Sequence, residues 1–186
     1  MLSRNSSLRL MIIAIIVMAV AVDQVFKLYI ATHWGLGESR QVLPFFFLCY
    51  VENDGMAFGI EWFDKLFLTI FRIIAVGVLI WYMHRILNRG CRTSYLTMIA
   101  LTTAGAVGNI IDCVFYGKLF GYAPYFYGKV VDMLYFPLIT DSNGECLFFR
   151  PVFNMADSYI TVAVIAILIW FRKDLDKSLN KQEQPE

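Results

Sequence analysis

Asp157 stands in the stretch Phe153-Asn154-Met155-Ala156-Asp157, at the head of an apolar run that continues to Phe171. An ionisable side chain in such a run is costly in hydrocarbon unless something pairs it or uses it. Residues of the same kind recur along the chain. Asp23 and Lys27 are four apart, Asn109 and Asp112 are three apart, and Asp132 sits in the apolar frame Val130-Val131-Asp132-Met133-Leu134. Two carboxylates brought close do not readily both ionise. They share a proton, so that one acts as a base on water while the other, protonated, polarises a carbonyl. This is the chemistry of an aspartic peptidase. A serine or cysteine nucleophile would need a base, and His33 and His84 lie outside these polar stretches. Cys49, Cys91, Cys113 and Cys146 show no CxxC spacing and HExxH is absent, so no metal is implied. Two other uses of buried carboxylates stay open on residue chemistry: a proton-coupled transporter or channel, and polar glue between helices.

The elements that must position these residues follow from composition. Of the 186 residues 59% are hydrophobic and the mean hydropathy is +0.60, which describes a polytopic membrane protein. The net charge of +1 implies neither a basic nor an acidic partner, and no nucleic-acid motif occurs. Four apolar segments are read as spans: 8–30, 66–83, 94–116 and 151–171. For the first, a cleavable signal ending near Ala19-Val20-Ala21 is the rival reading. The continuing apolar pattern and the Asp23/Lys27 spacing favour a span. Residues 31–65 carry glycines, Pro44 and strand-like runs, and read as a β-structured cradle between the first two spans, with aromatics suited to a membrane surface. Residues 117–150 read as an extended loop before the fourth span. The segment from Asp141 to Arg150 is either a lid or a tolerated insertion. Residues 172–186 read as a mixed-charge tail without an apolar face. Cys49 and Cys146 fall on one side, where either a disulfide or free thiols would serve.

Arginine and lysine place both termini and the short 84–93 loop in the cytoplasm, with 31–65 and 117–150 outside. Asp23, Lys27, Asn109, Asp112, Asn154 and Asp157 then share one depth, about 6 to 10 Å below the outer surface at 1.5 Å per residue. Asp132 reaches that layer from the outer loop.

Asp23-Gln24-Val25-Phe26-Lys27, Asn53-Asp54-Gly55-Met56-Ala57-Phe58, Gly108-Asn109-Ile110-Ile111-Asp112, Val130-Val131-Asp132 and Phe153-Asn154-Met155-Ala156-Asp157 together resemble the motifs of the bacterial lipoprotein signal peptidases, or signal peptidase II, in family order. The resemblance implies an all-helical four-span membrane bundle with a small extracytoplasmic cradle, located in the bacterial inner membrane. It implies an aspartic endopeptidase that removes the signal peptide from diacylglyceryl-modified prolipoproteins, cutting before the lipidated cysteine. Asp132 and Asp157 would form the catalytic dyad, Asn109 and Asn154 would orient it, and Asn53 and Gly55 would bring loop backbone against the substrate. Asp23, Lys27 and Asp112 would support the site. No cofactor or metal is implied; the partners are lipidated precursors and membrane lipids, and a monomer is expected. Where the family carries an arginine after the third-helix aspartate, this chain has Cys113. Either Lys118, Lys129 or Arg150 supplies that positive donor, or the site meets its substrate differently.

Overall fold

In a computed structural model, residues 4–54, 65–87, 89–140, 146–148 and 151–179 are described. Gly55, most of the Asn53–Phe58 motif and Arg150 lie outside them, as does the side chain of Cys146. Cys49 is a buried free thiol beside the Ser39 hydroxyl.

The chain runs α1 (Arg4–His33), β1 (Ser39–Leu43), β2 (Phe46–Asn53), α2 (Lys65–Ile86) and α3 (Thr93–Ile111). The last of these passes into a π-turn (Asp112–Tyr116) and a short α4 (Gly117–Leu119). There follow β3 (Val130–Tyr135), β4 (Ile139–Thr140), β5 (Cys146–Phe148), β6 (Val152–Phe153), α5 (Met155–Trp170) and α6 (Arg172–Leu179). Among the described residues three helices are long and apolar enough to cross a membrane: Ser6–His33, Lys65–Ile86 and Thr93–Leu119. A fourth is reached if α5 and α6, bent by 88°, are taken together. Many large apolar side chains on these helices, Val17, Ile74 and Val162 among them, face outward, as a surface bathed in lipid requires.

Helix α3 is the post of the bundle, with α1, α2 and α5 packed on it. Two glycines make the α5 contact close. A Cβ on Gly105 would run into the Ala156 carbonyl, and one on Gly108 would stand 2.6 Å from Asp23 Oδ2 and 3.3 Å from Ala156 Cβ. Small residues at such a seam let membrane helices approach and bring polar groups together.

The β-structure differs from the expected cradle. The four-stranded antiparallel sheet has the order β1-β2-β3-β6, so half of it comes from the loop before α5. Val130–Tyr135 is a nearly continuous buried run that starts on two valines, the pattern of a strand covered on both faces rather than of an open loop. The register pairs Val51 with Asp132 and Leu134 with Phe153, which fixes Asp132 near the entry to α5. Beyond β3, β4 and β5 form a separate two-stranded ribbon.

The tail also differs from expectation. Residues Arg172–Leu179 form a helix that folds across the end of the bundle and is held by polar contacts, which hydropathy does not register. Asp174 accepts from the Arg92 backbone N–H at 2.9 Å and from its Nε at 2.6 Å. The Tyr82, Tyr95 and Ser178 hydroxyls bond to one another, and Lys177 donates to the Gly90 carbonyl.

Candidate active site

Lys27 is fully buried on α1, and its ammonium meets three acceptors: Asp112 Oδ2 at 2.8 Å, Asp23 Oδ2 at 2.9 Å and Asn109 Oδ1 at 2.9 Å. Three donors are thus matched by three acceptors. Gln24 closes the cluster, its amide nitrogen lying 2.9 Å from Asp112 Oδ1, 3.1 Å from the Gly108 carbonyl and 3.2 Å from Asp23 Oδ2.

Each of the two carboxylates on Lys27 spends an oxygen on a backbone amide elsewhere. Asp23 Oδ1 accepts from Ala156 N at 2.9 Å, and Asp112 Oδ2 accepts from Val131 N at 3.2 Å. Ala156 immediately precedes Asp157 and Val131 immediately precedes Asp132. One buried lysine therefore fixes, through two aspartates, the backbone beside both of the remaining carboxylates. The π-turn begins at Asp112 itself and shifts the residues after it off the α-helical register, a distortion that recurs at functional positions.

Asn154 joins those two carboxylates. Its Nδ2 donates to Asp132 Oδ1 at 2.6 Å, and its Oδ1 accepts from Asp157 N at 2.9 Å. The second contact makes Asn154 the N-cap of α5 in a capping box with Asp157, so it is a helix cap as well as the residue that aims the pair. Asn109 Nδ2 donates to Asp157 Oδ1 at 2.8 Å and its Oδ1 receives both Lys27 and Asn154. Asn53 Nδ2 reaches Asp132 Oδ2 at 3.0 Å from the end of β2. Asp132 is buried in the strand layer. Burial and the nearby Asp157 charge outweigh the hydrogen bonds from Asn53 and Asn154, and its carboxyl is pushed up to about 7.

All the expected site residues that are described, namely Asp23, Lys27, Asn53, Asn109, Asp112, Asp132, Asn154 and Asp157, form one connected network. Two members were missed. Gln24 lies between Asp23 and Lys27 and gave no signal beyond being polar in a span. Arg72, on α2, places Nη1 2.9 Å from the buried Cys113 Sγ. Of the expected donors, Lys129 pairs with Glu52 at 3.2 Å and Lys118 is exposed. The guanidinium at Cys113 comes from another helix, and the lone charge interrupting the second span was its signal.

What this arrangement can do is set by its two differently housed carboxyls. One is buried and readily protonated at neutral pH; the other is partly open, with its amide partners already in place. Such a pair can activate water and polarise a carbonyl without further ionisable groups.

The family model described as signal peptidase (SPase) II matches residues 15–173. A lipoprotein signal peptidase of Porphyromonas gingivalis is 40% identical, over 93% of this chain and 88% of that protein. One from Streptococcus pneumoniae is 32% identical, over 89% of this chain and 95% of its own length. Among solved structures, a bacterial membrane enzyme determined by the in meso method at 1.9 Å resolution superposes with a TM-score of 0.65 at 32% identity, covering 88% of this chain and 94% of that one.

Proposed function

The chain belongs to the signal peptidase II family, and on that premise we propose that Asp132 and Asp157 are the catalytic pair of an intramembrane aspartic endopeptidase. The protein is a membrane-integral aspartic peptidase that removes signal peptides from prolipoproteins. A proton-coupled transporter or channel has no support, because the relatives are peptidases.

The observation that carries the reading is the shared Asn154, bonded at once to Asp132 and to the backbone of Asp157. Asp132, pushed up to about 7, is in good part protonated at neutral pH, and in that form donates its proton to the scissile carbonyl oxygen. Asp157 takes a proton from water, whose oxygen attacks the carbonyl carbon. Collapse of the tetrahedral adduct breaks the C–N bond as a proton passes to the leaving amine, and the two carboxyls return to one shared proton. Asn109 and Asn53 hold the carboxylates in place, and Lys27, Asp23 and Asp112 hold their backbones.

Precursors bearing a diacylglyceryl cysteine, cut just before it, fit a site at the edge of hydrocarbon, and the motif resemblance supports them. Arg72 supplies the positive donor for the substrate's polar groups that Cys113 does not. Four spans with α5 as the last, both termini cytoplasmic and the site under the outer leaflet of the bacterial inner membrane are supported by the basic residues near α1, the α2–α3 turn and α6.

The deciding experiment is cleavage of a lipidated prolipoprotein in detergent. Asp132→Asn and Asp157→Asn are each expected to lose at least about a thousandfold in rate, as loss of a central catalytic group does, while still inserting and eluting as folded protein. Cleavage retained by either variant removes the dyad assignment.

A further inference from the structure

At the opposite end of the bundle from the dyad, α1 and α2 both lean on α3 and leave a groove of about 320 Å³ between them. Its walls are two stripes of the same spacing: Arg9, Ile12, Ile13 and Ile16 on α1, and Ile80, Met83 and His84 on α2 with Leu87 just past its end. Positions i, i+3, i+4 and i+7 lie on one helix face, so each stripe runs straight along its helix. The floor is closed, with Ile12 3% and Met83 6% exposed, while the lips are open, with Ile13 57% and Ile80 51% exposed. The two helices run in opposite directions, so Arg9 and Leu87 lie at the terminal end of the groove, His84 one turn deeper, and Ile16 and Ile80 toward the middle of the bundle.

We propose that this groove is a binding site for an anionic phospholipid of the inner leaflet, its phosphate at Arg9 and His84 and an acyl chain along the isoleucines. The polarity of the groove matches such a molecule, with Arg9 and His84 in its terminal half and only apolar groups in the half nearer the middle of the bundle. Basic pockets between helices on the cytoplasmic side are where anionic headgroups bind. A second copy of the chain fits less well, because a symmetric contact through this face would bring Arg9 and His84 against their own counterparts. Arg9 precedes Asp23 by fourteen residues, about 21 Å along the helix, so the site is separate from the catalytic network and does not depend on the peptidase reading.

The full-length protein, extracted in a mild neutral detergent, is offered phosphatidylglycerol or phosphatidylcholine of identical acyl chains, and bound lipid is counted by native mass spectrometry. Retention of phosphatidylglycerol is expected to exceed that of phosphatidylcholine by about fivefold, the contribution of one basic residue near an anionic headgroup. The preference is expected to vanish in Arg9→Gln/His84→Gln. Ile13→Trp, which keeps both basic groups but fills the groove, is expected to lower retention of both lipids. Melting of each variant within a few degrees of the parent serves as the folding control. Equal retention of the two lipids by the parent, or an undiminished preference in the double variant, overturns the proposal, as does dimer formation that accounts for the burial of this face. Cleavage of precursor is expected to be unchanged in both variants.

Discussion

The two ends of the bundle bury polar groups in different ways. At the end that holds Asp132 and Asp157, four carboxylates gather near one lysine, and every hydrogen-bonding oxygen finds a donor although the charges are not balanced. At the opposite end, Asp174 meets the Arg92 guanidinium, Lys177 and Arg89 donate to backbone carbonyls, and three hydroxyls bond to one another. Among the described residues neither end leaves a buried side-chain nitrogen or oxygen unbonded. Hydrogen-bond satisfaction therefore does not separate a site from a clasp. Charge balance does. Burial pushes Asp174 up, but the backbone and guanidinium of Arg92 overcome it and hold the carboxyl below its ordinary range. Burial pushes Asp132 up too, and there the amide donors do not overcome it. A neutral amide satisfies a carboxylate without neutralising it, which leaves a proton available to be shared.

On this contrast, removing the buried cation beside the carboxylates has the largest consequence. Lys27→Met strands Asp23 and Asp112 without a counter-ion and frees the backbones they hold. It is expected to cost about 3 kcal/mol or more in stability, as breaking a buried pair does, and to abolish cleavage. Melting in detergent micelles and the precursor assay measure the two effects, and a variant that melts like the parent would mean that the cluster is not a support. Arg72→Gln comes next. It is expected to lower kcat/KM about tenfold, mostly through KM, with little change in melting, as for loss of one charge-assisted hydrogen bond to substrate. The opposite pattern, lower melting with unchanged kcat/KM, would make Arg72 part of the frame.

The pH dependence sharpens the same contrast. Cleavage is expected to decline as pH rises through about 7, where Asp132 loses its proton. Asn53 stabilises the charged form, so Asn53→Ala raises the carboxyl further and is expected to move this alkaline limb to higher pH. A shift to lower pH would contradict the assignment. The stability linkage has the same sign. The folded state holds this proton more tightly than the unfolded chain, so the contribution of Asp132 is full below the ordinary aspartate range and is lost as pH rises through about 7. Asp174 is the reverse, contributing above that range and losing its contribution as pH falls. The smallest effect is expected from Asp174→Asn: about 1 kcal/mol, since Arg92 is more than half exposed and the pair is screened. This shows as a few degrees of melting temperature with kcat/KM unchanged.

The site was more legible than the frame around it. Asp157, Asp112, Asp23 and Lys27 stand out because charges are rare in apolar runs, and that rarity marks them before any contact is known. Asp132 was legible through its apolar frame on both sides. The reach of Arg72 to Cys113 was not, because a sequence shows that a span carries a charge but not which neighbouring helix it faces. The strand Val130–Tyr135 was hidden by its own burial, since a run apolar on both faces lacks the alternation that marks a half-exposed strand. Helix α6 was hidden for a different reason: Asp174 and Ser178 are buried polar contacts, and these count against a helix face when apolar periodicity is the only guide.

The bond from Ala156 N to Asp23 Oδ1 spans 133 positions of sequence. During synthesis Asp23, Lys27 and Asp112 emerge with the first three long helices, and their mutual bonds need nothing made later. Asp157 and the cap that aims it arrive only with α5. An unfinished chain on the ribosome thus carries the anchor of the network before Asp157 can join Asp132, and on the proposed assignment the catalytic pair is assembled only with the last long helix.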